Sequence, residues 1–208
     1  MRFLITAGPT RQYLDPVRFI SNGSTGRMGL ALTRVALRRG HQVTLILGPV
    51  QARVPKKART IRVETTEQMA RACYKHFPGA DCVIMSAAVC DYQPVKARTT
   101  KIKKSSATLV LKLKPTTDIL AELGRRKRRQ LLIGFALESN NAQAHALAKL
   151  KKKKLDYIIA NSPASLASEQ INPIIISADG SVERLGPMAK LSLARRIIRL
   201  AEARRPSP

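Results

Sequence analysis

Acidic residues are scarce in this chain. Its 208 residues include 13 Asp and Glu against 38 Lys and Arg, a formal net charge of +25. That imbalance points to polyanionic partners: nucleic acid, phosphorylated metabolites or anionic lipid. Tryptophan is absent, and four Tyr and four Phe are the whole aromatic complement. Few platforms remain for stacking a single-stranded nucleic acid. The three cysteines, Cys73, Cys82 and Cys90, are odd in number and lack C-x-x-C spacing, so neither a disulfide framework nor a zinc site is expected. A reducing cytoplasm is the expected location. No apolar run is long enough to span a membrane, and Met1–Ala7 is too short for a signal-peptide core. After the first strand there is neither a Walker A loop nor G-x-G-x-x-G, which disfavours a nicotinamide dehydrogenase. No Ser-His-Asp or Cys-His set emerges. His41, His76 and His145 lie on or beside expected helices and receive no role.

Hydrophobic residues make up 44% of the chain, enough for one ordinary core. Apolar, β-rich runs alternate with helical patterns. Strands are expected at Arg2–Ala7, Gln42–Leu47, Thr60–Val63, Asp81–Met85, Thr108–Leu113, Leu131–Phe135, Leu155–Ala160, Pro173–Ile176 and Val182–Leu185. Helices are expected at Gly26–Arg39, Thr66–Phe77, Asp118–Arg129, Ala142–Lys153 and Met188–Ala203. Met28, Leu32, Val35 and Ala36 share a face of the first helix, Gly40 stops it, and Thr65 with Gln68 forms a capping box for the second. The alternation implies one α/β domain over 1–208, a three-layer Rossmann-like fold with a mainly parallel sheet. Ala178–Ser181 reads as the turn of a C-terminal hairpin, and 204–208 as a frayed tail.

In such folds ligands gather beyond the carboxyl ends of the strands. Five segments fall there or nearby. The run from Gly8 to Gly29 leaves the first strand and opens a helix, and Gly23, Gly26 and Gly29 permit close backbone approach. It reads either as an anion cradle at a helix N-terminus or as a polar turning loop. Met85-Ser86-Ala87-Ala88 ends a strand in small residues, and Asp91 follows at the sheet edge, where it could accept from a ligand, support a cation or cap a turn. Lys101-Ile102-Lys103-Lys104 resembles an extended arm, within a flap of about 92–106, that closes over phosphates or is simply solvated. Phe135 ends another strand, and stacks on a base or joins the core. Lys149 and Lys153 share a helix face, where like charges cost about 0.2–0.5 kcal/mol unless an anion lies between them.

Together the stretches Ile5–Gly29, Ser86–Pro94, Lys101–Lys104, Thr117–Leu120, Gly134–Ser139 and Ala148–Asn161 resemble phosphopantothenoylcysteine synthetase, a ligase of coenzyme A biosynthesis. The resemblance covers nearly the whole chain, in the family's order. It implies condensation of 4′-phosphopantothenate with L-cysteine, through an acyl-cytidylate, using CTP and releasing pyrophosphate and CMP. Eukaryotic relatives use ATP, so ATP is the alternative co-substrate. Mg2+ is implied, held mainly by the nucleotide phosphates, with no flavin because the chain begins at the ligase's first strand. A homodimer is implied, the flap covering the partner's site, together with a cytoplasmic location and no membrane.

By position, the resemblance makes Asn22 and Lys101 catalytic. Asn22 holds phosphopantothenate and supports the intermediate; Lys101 serves the second half-reaction. Ser24, Gly26, Gly29, Met85, Ser86, Ala87, Asp91, Lys101, Thr117, Asp118, Ile119, Leu120, Phe135, Lys149 and Lys153 match nucleotide contacts. Asn22, Ala87, Ala88 and Asp91 match phosphopantothenate contacts. Departures are modest: Thr25 and Arg27 stand where Ser and Lys are usual, Cys90 replaces Ala, Gln93 a basic residue, and Thr117 a frequent Pro. The charge alone supports a rival reading, a basic α/β module that holds nucleic acid through Lys101–Lys104, Arg125–Arg129 and Lys151–Lys154.

Overall fold

The computed structural model describes residues 1–106, 108–137, 141–163, 168 and 170–204. Glu138 and Ser139 of the Gly134–Ser139 stretch and the tail residues 205–208 lie outside them.

Eight strands form the central sheet. In chain order they are β1 (Arg2–Ala7), β4 (Gln42–Leu47), β5 (Arg59–Arg62), β6 (Cys82–Met85), β9 (Leu131–Leu137), β10 (Tyr157–Asn161), β12 (Ile174–Ser177) and β13 (Val182–Arg184). Their spatial order is β5-β4-β1-β6-β9-β10-β12-β13. The first six pair in parallel, and β12 and β13 add an antiparallel hairpin to one edge. The chain reverses direction across the sheet between β1 and β6, and the carboxyl ends of those two strands mark the switch point.

Helices cover both faces. α1 (Arg27–Arg38) and α5 (Lys190–Ala203) lie on one; α2 (Thr66–His76), α3 (Ile119–Arg126) and α4 (Ala142–Lys152) lie on the other. Alternation along the strands sorts side chains between the layers. Phe3, Ile5 and Ala7 of β1 pack with Leu32, Val35, Ile197 and Ile198, while Leu4 packs with Met69, Leu123 and Leu150. The capping box at α2 is present: Thr65 accepts from Gln68 N–H, and the Gln68 side chain accepts from Thr65 N–H. Gly40, after α1, has φ +80°, so the left-handed turn there favours glycine.

The expected strand Thr108–Leu113 is corrected. Residues 108–112 carry no strand pairing. β8 (Leu113–Pro115) instead pairs antiparallel with β7 (Tyr92–Pro94) in a separate two-stranded ribbon. Leu109, Val110 and Leu111 have β propensity but are exposed on both sides, with no core face of this chain to cover them. Residues 95–106 and 108–112 lie between the two strands of this ribbon, in the region expected to form the flap. Two more short pairings lie outside the sequence expectation: β2 (Arg11–Tyr13) with β3 (Phe19–Ser21), and β11 (Gln170–Ile171) with β14 (Met188–Ala189). The latter takes Met188 and Ala189 out of the last helix. Lys127 turns extended, with ψ 130°, and ends α3 before Arg129.

Candidate functional site

The switch point is built by an extension of two strands. Beyond β1 and β6 the backbones of Pro9 and Ala88 form one more parallel bridge, with Ala88 N–H donating to Gly8 O and Thr10 N–H to Ala88 O. Buried Thr10 holds this extension together. Its hydroxyl accepts from Cys90 N–H at 2.9 Å and meets the Thr66 hydroxyl at 3.0 Å. Ser21 Oγ and the Cys90 thiol both donate to Thr10 O. Asn22 spans to the opposite side: its Nδ2 donates to Val89 O at 3.0 Å and Ala88 O at 3.3 Å.

α1 starts at this point with no side-chain cap and no acid in its first turn. No acid of its own first turn therefore offsets the positive end of the helix dipole, which favours an anion there. Gly26 is the N-cap, at φ +70°, and Ser24 Oγ accepts from Gly26 N–H. Gly29 lets the helix touch the sheet. A Cβ there would stand 2.4 Å from Ala7 Cβ and 2.7 Å from Ser86 Oγ.

A cavity of about 430 Å3 opens over these elements, lined by Asn22–Gly29, Ser86–Val89, Asp91, Phe135–Leu137, Lys149, Asn161, Ile171, Lys190 and Leu193. A second, of about 230 Å3, is lined by Met85, Ala87, Val89, Asp91, Thr116–Leu120, Phe135, Lys149, Lys153 and Ile158. Ala87, Val89, Asp91, Phe135 and Lys149 line both, so the two are neighbouring compartments. The structure thus gathers Asn22, Ser24, Gly26, Gly29, Met85, Ser86, Ala87, Ala88, Asp91, Thr117, Asp118, Ile119, Leu120, Phe135, Lys149 and Lys153. Lys101 is the exception: it is exposed and lines neither cavity of its own chain.

The lining is cationic. Arg27, Lys149 and Lys190 border the larger compartment, and Lys149 and Lys153 the smaller. Lys153 is held at 2.9 Å from Asp118 Oδ2. The charge of Lys153 is thus in part met by the protein's own carboxylate. Burial alone would raise the Asp118 pKa, but the Ala121 N–H and Lys153 outweigh it and hold the carboxyl below its usual range. Neither cavity is lined by a His or Cys among the described residues, and Ser86 Oγ donates to Thr6 O with no base beside it. Burial pushes the Cys73 thiol up to about 12 and raises those of Cys82 and Cys90. Among the described residues the lining offers positioning and charge neutralisation.

Residues 1–204 match the family described as DNA/pantothenate metabolism flavoprotein C-terminal domain. The chain belongs to this family. It is 40% identical over 200 residues to the coenzyme A biosynthesis bifunctional protein CoaBC of Bacillus subtilis, covering 94% of this chain and 49% of that protein. It is 42% identical over 204 residues to a protein of an unknown prokaryotic organism named cysteine/cysteine sulfinic acid decarboxylase, covering 95% of this chain and 57% of that one. The chain therefore spans about half the length of these relatives. The crystal structure of the C-terminal domain of a CoaBC superposes with a TM-score of 0.85 at 38% identity, covering 97% of this chain and 94% of that chain. The family agrees with the resemblance read from the motifs.

Sequence reasoning missed several site residues. Asn161 ends β10 and closes the Ala148–Asn161 stretch, so its position was readable and its role was not. Lys190, Ile171 and Leu193 reach the larger cavity from the C-terminal segment, where β11 pairs with β14. That pairing of two dipeptides has no periodic signal. Asp15 is fully buried and supports the flap, yet in sequence it is one acid in a polar loop.

Proposed function

We propose that this chain is a phosphopantothenate–cysteine ligase of coenzyme A biosynthesis, with CTP as the co-substrate and ATP as the alternative. The observation that carries the reading is the pair of adjoining cationic compartments at the switch point, lined by the family's motifs. The relatives named CoaBC support it.

In this reading the smaller compartment, with Phe135, Asp118 and Lys153, takes the nucleoside, and the α1 N-terminus with Ser24–Gly29 takes its phosphates. Phosphopantothenate lies along Ala87 and Ala88, where small side chains leave room, with Asn22 beside its carboxylate. A carboxylate oxygen attacks the α-phosphorus, the bond to the β-phosphate oxygen breaks, and pyrophosphate leaves. The cysteine amine then attacks the acyl carbon, the bond to the phosphate oxygen breaks, CMP departs and the amine loses its proton. Both attacking groups belong to substrates, which suits a lining without a nucleophile. The chain's own work is alignment and charge stabilisation.

Magnesium, where bound, neutralises nucleotide phosphate charge. Asp91 is the carboxylate at the junction of the compartments that remains available to support it, because Asp118 is engaged by Ala121 N–H and Lys153. Among the described residues no group of three His, Cys, Asp or Glu is arranged for a metal. The donor set therefore fits an ion carried chiefly by the phosphates.

The exposed apolar residues Val17, Phe19, Tyr92, Val95, Leu109, Val110, Leu111 and Leu113 lie on the β2–β3 hairpin, the β7–β8 ribbon and the flap. They support a homodimer in which each flap brings Lys101 to the partner's site. Mass spectrometry tests the ligase directly. Protein, Mg2+, CTP, phosphopantothenate and cysteine should yield phosphopantothenoylcysteine and CMP in equal amounts. CTP consumption without the amide product would refute it.

A further inference from the structure

A buried carboxylate ties the flap to the body of the chain. Asp15 sits at the tip of the β2–β3 hairpin with its side chain fully buried. Its two oxygens do different things. Oδ1 accepts from Val17 N–H and Arg18 N–H, both at 2.8 Å, and shapes the hairpin turn. Oδ2 accepts from the Arg18 guanidinium at 2.6 Å and from Ile102 N–H at 2.9 Å. The same Arg18 nitrogen donates to Ile102 O at 2.9 Å. Both backbone polar groups of Ile102 are therefore gripped by one side-chain pair. Arg98 N–H adds a second tie, to Leu14 O at 2.8 Å.

Ile102 lies between Lys101 and Lys103, so a fixed peptide there fixes where both side chains leave the backbone. The other end of the hairpin runs straight into Asn22. One short element thus joins the flap to the loop that carries Asn22. Burial would raise the Asp15 pKa, but the N–H groups of Ile102, Val17 and Arg18 and the Arg18 guanidinium prevail, keeping the carboxylate ionised.

We propose, resting on the ligase reading, that Asp15 is a positioning residue for the flap: with Arg18 it clamps Ile102 and sets the reach of Lys101 for cysteine capture, leaving nucleotidyl transfer unaffected.

Asp15→Asn tests this selectively. An amide oxygen in the Oδ1 place keeps the turn. An NH2 group in the Oδ2 place meets two donors and releases Ile102. Pyrophosphate release without cysteine should stay within about threefold of wild type. Amide formation should fall on the order of 100-fold, as expected for a misplaced catalytic group, and the acyl-nucleotide should accumulate. Hydrogen exchange at Ile102 N–H should accelerate by about tenfold or more. Arg18→Lys keeps a cation on Oδ2 but loses the fixed fork to Ile102 O, and should show the same split at smaller amplitude. Equal loss in both half-reactions with lowered Tm, or no loss in either, would overturn the proposal. So would unchanged Ile102 exchange. Wild-type protein that never releases pyrophosphate in the presence of phosphopantothenate would refute the ligase reading instead, and Ile102 exchange would then decide the clamp alone.

Discussion

Gly29→Ala probes the contact between α1 and the sheet, which also sets the anion cradle. The added Cβ would stand 2.4 Å from Ala7 Cβ, 2.7 Å from Ser86 Oγ and 2.9 Å from Thr6 O. Ordinary carbon contacts begin near 3.5 Å, so helix and strand must part by about 1 Å. Overpacking of this kind costs about 1–3 kcal/mol. Alanine in a helix regains about 0.5–1 kcal/mol over glycine. The net loss is at most about 2.5 kcal/mol. For a chain of this size that lowers Tm by up to about 10 °C. Because the shift carries the α1 N-terminus away from Ser86 and Ala87, CTP affinity should fall about tenfold, roughly one charge-assisted hydrogen bond. Thermal melts and calorimetric CTP titration read both effects. Gly23→Ala is the stability control from the same loop. A Cβ there meets nothing within 4 Å, and the change should stay within about 0.5 kcal/mol. A Gly29→Ala protein with unchanged or higher Tm and unaltered CTP affinity would refute the close-approach argument.

Asn22→Asp would set a carboxylate against the carbonyls of Ala88 and Val89, where Nδ2 now donates. Pyrophosphate release should fall by on the order of 100-fold, and full activity would remove Asn22 from the site. Thr10→Val keeps the shape but leaves Cys90 N–H unpaired in a buried position; urea unfolding should show a loss of about 1–3 kcal/mol. Acid should unfold the protein in part through Asp81 and Asp118. Burial raises each, but Arg2 for Asp81, and the Ala121 N–H with Lys153 for Asp118, bring both below the ordinary value. Their contribution is present above the unfolded carboxylate pKa of about 4 and lost as pH falls through the folded values. Urea midpoints at successive pH values should drop on the acid side, less steeply in Asp118→Asn.

The central strands and covering helices were readable because each buries a periodic face. β6 is an unbroken apolar run, β1 is apolar apart from Arg2 and Thr6, and α1 repeats Leu32, Val35 and Ala36 on its core side. Thr108–Leu113 misled for the converse reason: Leu109, Val110 and Leu111 carry strand chemistry without a partner in their own chain. The site was legible wherever a motif sat at a strand end, as at Asn22, Ala87 and Phe135. It was not legible where long-range pairing delivers the residue. Lys190 depends on β11 meeting β14, and Asp15 on a contact with Ile102 that is remote in sequence. Lys101 lines neither cavity of its own chain, so its role rests on the proposed dimer.

The most direct test of the ligase reading is pyrophosphate release by purified protein with Mg2+ and phosphopantothenate, run with CTP and with ATP, with and without cysteine. The account predicts release that requires phosphopantothenate and is faster with CTP. Release independent of phosphopantothenate, or none with either nucleotide from folded protein, would contradict it.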